Sequence, residues 1–404
     1  MQFSNIIGQQ PIKQQLSDMV QHNRLSHALL FLGKEGSGAL PLAIAFAQYL
    51  VCEKVRGIAT PETAGPSLFG DPEPVVAAPM TDSCGTCASC QKAAQLIHPD
   101  IHFSYPVVTK KAGSPPISTD YITEWREFLK QYPYGNVFDW LQFIEAENKQ
   151  GNITASECND IIRKLNLKSF ESGYKVLIMW SPEYLGNEGN KLLKLIEEPP
   201  ASTLFILVAE NESLILPTIL SRTQLVKIPM LNDRDIEEAL VARGNISSGQ
   251  ARQLAAISEG NYREALNHLN HADEDWLNMV REWMNAILRG GPIAVVKWCE
   301  EAAKLGREKQ KQFLRYFNHL LETSIRLRVL GEESAFSQNL PPLEKDFALR
   351  LNKMVELPQH EALIEELDQA AYYIERNANA KMLFNALSIK FHHIIKDKAR
   401  VSVW

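Results

Sequence analysis

Ala28-Leu29-Leu30-Phe31-Leu32-Gly33-Lys34-Glu35-Gly36-Ser37-Gly38-Ala39-Leu40 is the stretch that decides the fold. Five apolar residues run straight into a glycine-rich turn, and a helical pattern follows over 40–51. A phosphate-binding loop is written G-x-x-x-x-G-K-[ST] between a strand and a helix. Gly33 and Gly38 stand in register with its two glycines, and Gly36 lies between them. Ala39, however, occupies the place of the lysine and Leu40 that of the hydroxyl residue. Without the lysine no side-chain charge holds the β- and γ-phosphates, and without the hydroxyl a magnesium ion loses a ligand. The scaffold of a nucleotide-binding ATPase is expected, with the chemistry removed.

Two further apolar runs, 176–180 and 203–209, match residues 28–32 in character. Continuous short runs without alternation suit strands buried on both faces, as in a parallel sheet covered by helices. A helical stretch over 188–197 ends at Pro199-Pro200, which cannot continue a helix. An α/β domain over 1–229 is therefore predicted. Beyond Pro229 the strand signals fade. Asn232-Asp233 caps a helix beginning near Arg234, and 250–257 and 262–269 give two more, so residues 230–272 read as a small helical unit. From 273 to 404 the pattern is longer helices. Trp276, Val280, Trp283 and Ile287 recur at helical spacing, as do Phe313, Phe317, Leu320 and Leu321, and Leu363, Leu367, Ala370 and Ile374. These stripes read as the core of a bundle.

Two segments read as insertions. Residues 54–83 carry Pro61, Pro66, Pro72, Pro74 and Pro79 among small residues, which predicts an irregular excursion. Residues 104–151 hold Trp125, Phe128, Tyr132, Tyr134, Phe138, Trp140 and Phe143, and helices packed on the α/β domain are expected there, with a partner surface as a further possibility.

The chain has 404 residues, is 45% hydrophobic and 22% charged, and carries a formal net charge of -6. That length suits two or three globular domains. A mildly acidic balance does not imply a dominant nucleic-acid surface. No apolar run is long enough to span a membrane, and residues 1–11 lack the pattern of a signal peptide. The expected compartment is the cytoplasm. Six cysteines there are better read as metal ligands or free thiols than as disulfides. Cys84, Cys87 and Cys90 stand at two-residue gaps, and Cys52 lies upstream at the end of the first helix. Four thiolates satisfy zinc tetrahedrally and leave no open position, so such a site is structural. A [4Fe–4S] cluster is the weaker alternative, and Cys158 or His98 are alternative fourth ligands. Cys158 and Cys299 otherwise read as ordinary buried cysteines.

A working ATPase of this kind ends its second strand in Asp-Glu. Here 176–179 leads into Trp180-Ser181-Pro182-Glu183, and neither place carries the carboxylate. Glu183 reads as a solvated loop carboxylate. The two defects agree, which points to a site released from catalysis. Ser221-Arg222-Thr223 follows a helical stretch over 214–220 at the far edge of the domain. An exposed arginine is usually just solvated. An arginine at such an edge can also reach a neighbouring subunit's γ-phosphate, the arginine-finger device.

Together these residues resemble a known family. Ile7-Gly8-Gln9, Arg24-Leu25-Ser26-His27-Ala28, the altered loop, Cys-Gly-x-Cys-x-x-Cys, His98-Pro99-Asp100, the run from Asn190 to Pro200 and Leu220-Ser221-Arg222 look like the bacterial DNA polymerase III delta-prime family. The motifs span roughly residues 5–225. The resemblance implies an AAA+ clamp-loader subunit: an α/β domain of the P-loop NTPase type, a small helical lid and a C-terminal all-α collar. It implies a pentameric ring with gamma/tau and delta, which opens the sliding clamp and places it on primer-template DNA. It implies that Arg222, with Ser221, completes a neighbouring gamma/tau ATP site while this chain hydrolyses no ATP. It implies that Cys52, Cys84, Cys87 and Cys90 hold zinc in a module over about 52–90, and that Arg263 matches the sensor-2 arginine of the lid, the alternative being an ordinary helix-surface arginine. Thr223 replaces the motif's cysteine, and the interval from His98-Pro99-Asp100 to Ile161-Ile162-Arg163 is longer than the family usually shows. Two other readings compete: an ATP-hydrolysing AAA+ enzyme in which Lys34 stands in for the missing lysine, and a zinc-dependent DNA-binding module.

Overall fold

The computed structural model describes residues 1–57, 80–110, 113–146, 149–244, 246–270, 276–331, 333–334, 337, 340–375 and 378–398. Most of the excursion expected over 54–83 lies outside the described residues. The chain divides into two compact units, Met1–His268 and Leu269–Trp404.

The first unit is built on five parallel strands: β1 (Ala28–Leu32), β2 (Ile101–Ser104), β3 (Lys175–Trp180), β4 (Thr203–Ala209) and β5 (Gln224–Lys227). Their order across the sheet is β2-β3-β4-β1-β5. Phe31 pairs with Val208 on one side and Val226 on the other, which fixes the register around the loop after β1. The three strands expected from their apolar runs are β1, β3 and β4, the central ones. They feed both faces alternately. Leu29, Phe31, Val176, Ile178, Trp180, Leu204, Ile206 and Val208 join one core. Ala28, Leu30, Leu177, Met179, Phe205, Leu207 and Ala209 join the other. This is the period-two geometry of a strand covered on both sides, and each large side chain so buried contributes roughly 1.5–3 kcal/mol relative to exposure.

Helix α1 (Gln10–Gln21) precedes β1 and α2 (Ala39–Val51) follows its loop. Every residue of α2 is buried. Helix α3 (Ala88–Ala94) leads into β2. Ser104 closes β2, so the aromatic insertion begins with sheet. It continues as α4 (Ile122–Gln131) and α5 (Val137–Phe143) before α6 (Ala155–Asn166). Trp125 stacks on Tyr105 at 3.9 Å and meets Trp140 edge-on at 5.2 Å, an arrangement that favours aromatic pairs beyond area burial. These rings pack into the core that holds β1 and α2.

The helix expected over 188–197 differs. Residues Pro182–Leu192 are 3₁₀ in character, with a break at Gly186 (φ 50°), and only α7 (Leu193–Glu197) is α-helical. Gly186 adopts a backbone conformation with ψ −141° that other residues rarely reach, so the helix cannot run through it. A short α8 (Pro217–Leu220) precedes β5; α9 (Asp233–Gly244) and α10 (Ser248–Ser258) follow, and α11 (Tyr262–Asn270) runs through the unit's end at His268.

Among the described residues the elements of the second unit are helices: α12 (Trp276–Asn285), α13 (Gly291–Lys304), α14 (Arg307–Leu330), α15 (Pro342–Met354), α16 (Leu357–Glu375) and α17 (Ala380–His392). The three expected stripes form one core. Trp283 and Trp298 stack at 4.7 Å within it, and the Trp283 indole donates to Ser388 Oγ at 2.8 Å. No described helix is long and apolar enough to cross a membrane.

Candidate functional site: a closed phosphate loop, a thiol cluster and an edge arginine

Gly33 donates to the Ala209 carbonyl at 3.0 Å, which ties the loop to the end of β4. Gly38 caps α2 in the left-handed region at φ 87°, a conformation glycine adopts without strain. Ala39 and Leu40 then point into the core, 7% and 5% exposed. The two positions that would hold phosphate and metal therefore hold protein. Lys34 is exposed.

What covers the loop comes from elsewhere in the same unit. Tyr134 lies so close that a Cβ on Gly38 would come within 3.0 Å of its ring. A Cβ on Gly36 would sit 1.8 Å from Asn261 Oδ1, and the Gly36 carbonyl accepts from the Tyr262 amide at 3.3 Å. Arg263, 5% exposed at the start of α11, makes two bonds of 2.6 Å to Asp139 and one of 2.9 Å to Glu35. Asn136 donates to Glu35 at 3.0 Å. Asn136 and Asp139 cap α5 reciprocally. The ordinary helix-surface reading of Arg263 is thereby overturned: its charge is buried and paired.

The end of β3 brings Trp180 into the wall of this site. Glu183 is not the solvated carboxylate expected. Its Oε1 accepts from the amides of Glu210 (2.7 Å) and Asn211 (2.9 Å), and its Oε2 is buried without a partner. Burial pushes its pKa up against those amides.

Cys52 ends α2, Cys87 caps α3 and Cys90 lies in its first turn. With Cys84 their sulfurs all lie within 4.8 Å of one another. The amides of Cys84, Cys87 and Cys90 donate to the sulfurs of Cys52, Cys84 and Cys87 at 3.3–3.4 Å. Four soft donors converging with amide support fit a tetrahedral thiolate-binding cation. Cys158 lies in a different core and donates to the Glu188 carbonyl at 3.6 Å. His98 Nδ1 accepts from the Asp100 amide at 3.2 Å. Neither belongs to the thiol group.

Arg222 follows α8 at the domain edge, 32% exposed. Its Nε donates to Glu197 Oε1 at 2.5 Å and its Nη1 to the Thr218 carbonyl at 2.7 Å. Ser221 Oγ donates to the same carbonyl at 3.2 Å and accepts from Arg222 Nη1 at 3.2 Å. The loop, the thiols and the edge arginine are three separate places. Sequence reasoning missed the acids around Arg263, which lie 124 and 228 positions away and carry no local signal.

A family model described as DNA polymerase III, delta subunit, matches residues 8–64 and 75–232. A DNA polymerase III subunit delta' from Bacillus subtilis is 27% identical over 261 residues, 64% of this chain and 58% of that protein. The tau subunit of the same organism is 24% identical over 330 residues, 79% of this chain and 46% of its own length. The chain thus spans about half the length of these relatives. A gamma subunit-related protein from Thermotoga maritima of known structure is 13% identical, with a TM-score of 0.37 over 95% of this chain and 99% of that one.

Proposed function

The chain belongs to the DNA polymerase III delta subunit family, and from that membership we propose that it is a clamp-loader subunit of the delta-prime type that hydrolyses no ATP itself. The observation that carries this reading is the loop after β1: buried Ala39 and Leu40 stand where the phosphate lysine and magnesium hydroxyl belong. In this role the chain takes a place in a pentameric cytoplasmic ring with gamma/tau and delta. The ring acts on the sliding clamp and on primer-template DNA. Residues 230–272 serve as lid and 273–404 as collar. Arg222, oriented by Ser221, supplies a guanidinium to the γ-phosphate held by a gamma/tau neighbour. Its fork geometry matches phosphate oxygens in pairs.

Cys52, Cys84, Cys87 and Cys90 would hold one structural zinc. Zinc with four thiolates has no open position and contributes to folding rather than to catalysis. The donor set supports this assignment: four sulfurs, mutually close, with amides directed at three of them.

The test is ATP hydrolysis by the purified chain alone, then with gamma/tau, delta, clamp and primed DNA. The reading expects no turnover alone and Arg222-dependent turnover in the mixture. Turnover by the chain alone, abolished by Lys34→Ala, would replace it with the hydrolysing alternative.

A further inference from the structure

Arg263 stands beside a phosphate loop, yet it is bonded to the carboxylates of Asp139 and Glu35 and, more loosely at 3.4 Å, of its neighbour Glu264. Asp139 takes two of its N–H groups at 2.6 Å, and Glu35 takes another at 2.9 Å. Glu35 belongs to the loop itself. Asp139 belongs to the 104–151 insertion and is held in place by the Asn136 amide, which donates to its Oδ2 at 3.0 Å. Asn136 links the two acids by donating to Glu35 at 3.0 Å. The insertion also sets Tyr134 over Gly38, and Tyr134 meets Tyr262 edge-on at 4.9 Å. The cavity left among the loop, Tyr134, Trp180 and Glu210 is about 30 Å³. That is room for a water or two, against the roughly 300–1,000 Å³ of a small-molecule site.

We infer that Asp139 and Glu35 act as built-in substitutes for nucleotide phosphates, so that the 104–151 insertion closes α9–α11 onto the loop as an internal ligand. The inference builds on the reading of residues 33–40 as a phosphate loop without its chemistry. In a nucleotide-gated domain the phosphates draw a lid arginine toward the loop and release it when they leave. Here the anions are covalently part of the chain, so the closed state is permanent and indifferent to nucleotide. A buried guanidinium needs an anionic partner, and a carboxylate accepts the same paired N–H geometry that a phosphate does. The insertion thereby acquires a task that its aromatic core alone does not explain. Such a subunit would hold one shape while its neighbours cycle.

The experiment is hydrogen exchange on the full-length chain, reading amides of 33–38 and 248–268. Four proteins are compared: the parent, Asp139→Asn, Arg263→Gln and the double variant. Titration with a fluorescent ADP analogue runs in parallel. Each single variant should speed exchange in both segments by on the order of a hundredfold, and the double should be no faster than either single. Should Asp139→Asn prove insoluble, Glu35→Gln reads the same cluster and should speed exchange by about tenfold. The parent should bind no ADP analogue at millimolar concentration. Unchanged exchange in the single variants, additive effects in the double, or ADP binding by the parent that slows exchange would each overturn the inference. None of these readouts involves Arg222, so the fate of the arginine-finger reading is decided separately, by turnover in the assembled complex.

Discussion

The Arg222 guanidinium, just past α8, is bonded in cis to the carboxylate of Glu197, the last residue of α7, Nε to Oε1 at 2.5 Å. The pair is a third to nearly half exposed, 32% for Arg222 and 44% for Glu197. Surface pairs of this kind contribute about 0–1 kcal/mol, little enough for a phosphate in a neighbouring site to displace the carboxylate. Glu197 thus holds the arginine beside the end of α7, and in the proposed role the γ-phosphate would take its place.

Arg222→Ala should accordingly lower the melting temperature of the isolated chain by no more than about 2–4 °C, because about 0–1 kcal/mol is removed. In the assembled complex it should lower clamp- and DNA-stimulated ATP turnover by roughly a thousandfold at the affected site, the order seen for supplied arginine fingers. Steady-state hydrolysis with parent and variant chains checks this. Equal turnover would remove Arg222 from the mechanism.

Cys87→Ser should cost the chain one bound metal equivalent and destabilise the region where α2 and α3 meet. Cys87 is both a cluster thiol and the cap of α3, its sulfur accepting from the Cys90 amide at 3.4 Å. Serine can still cap a helix, so any large effect arises from the lost thiolate. Metal content by atomic emission and a thermal melt with and without chelator make the comparison. A parent that carries no metal and melts identically in chelator would end the zinc reading.

β1, β3 and β4 were legible in the sequence because both faces of each are covered, which makes an unbroken apolar run. β2 and β5 were not. Each is four residues long and lies at a sheet edge, and β5 exposes Gln224, Leu225 and Lys227. Three of the four clustered thiols announce themselves within seven residues, and Cys52 joins them because α2 ends beside them. Arg263 illustrates the opposite case. Its carboxylates come from the loop and the insertion, and only the folded chain sets them side by side. Glu183 differs from a solvated carboxylate for a related reason: the amides of Glu210 and Asn211 that hold it lie beyond the end of a different strand.

His102, in β2, should make the chain less stable in mild acid. Burial lowers its pKa from 6.5 to about 4, helped by the nearby positive charge of Lys164 and Lys175 and opposed by Asp100 and Asp160. The folded chain therefore keeps the ring neutral while the unfolded chain protonates it. Between about pH 4 and 6.5 the unfolded state binds more protons, so stability rises with pH across that window and falls as acid is added. Urea melts at pH 7.5 and 5.0 should show the fall, and His102→Gln should reduce it. Burial lowers His98 and His360 in the same direction, so part of the fall should persist. An identical pH dependence in the His102 variant would show that the ring is solvated in the folded chain.

Asp100 should be among the most costly single polar residues to remove. It is 2% exposed, and its carboxylate accepts from the amides of Phe170 (2.6 Å), Glu171 (2.9 Å) and Ser172 (2.8 Å) and from Ser172 Oγ at 3.0 Å. It anchors the turn that enters β3 to the start of β2, whose first pairing joins Ile101 to Val176. Burial alone would raise its pKa, but the three amides and the hydroxyl outweigh burial and hold it below 3.8. A carboxylate depressed in the folded state stabilises above its unfolded pKa, and that contribution is lost as pH falls below about 3.8. Asp100→Ala leaves the buried Ser172 amide without an acceptor, at about 1–3 kcal/mol for such a group, and turns the part-buried amides of Phe170 and Glu171 over to water. A loss of roughly 2–4 kcal/mol in urea melts at neutral pH is expected, the buried amide and the lost charge-assisted bonds together. Asp100→Asn keeps one acceptor oxygen and should fall between the two. If Asp100→Ala melted with the parent, the turn at 170–172 would have to be held by something other than this carboxylate.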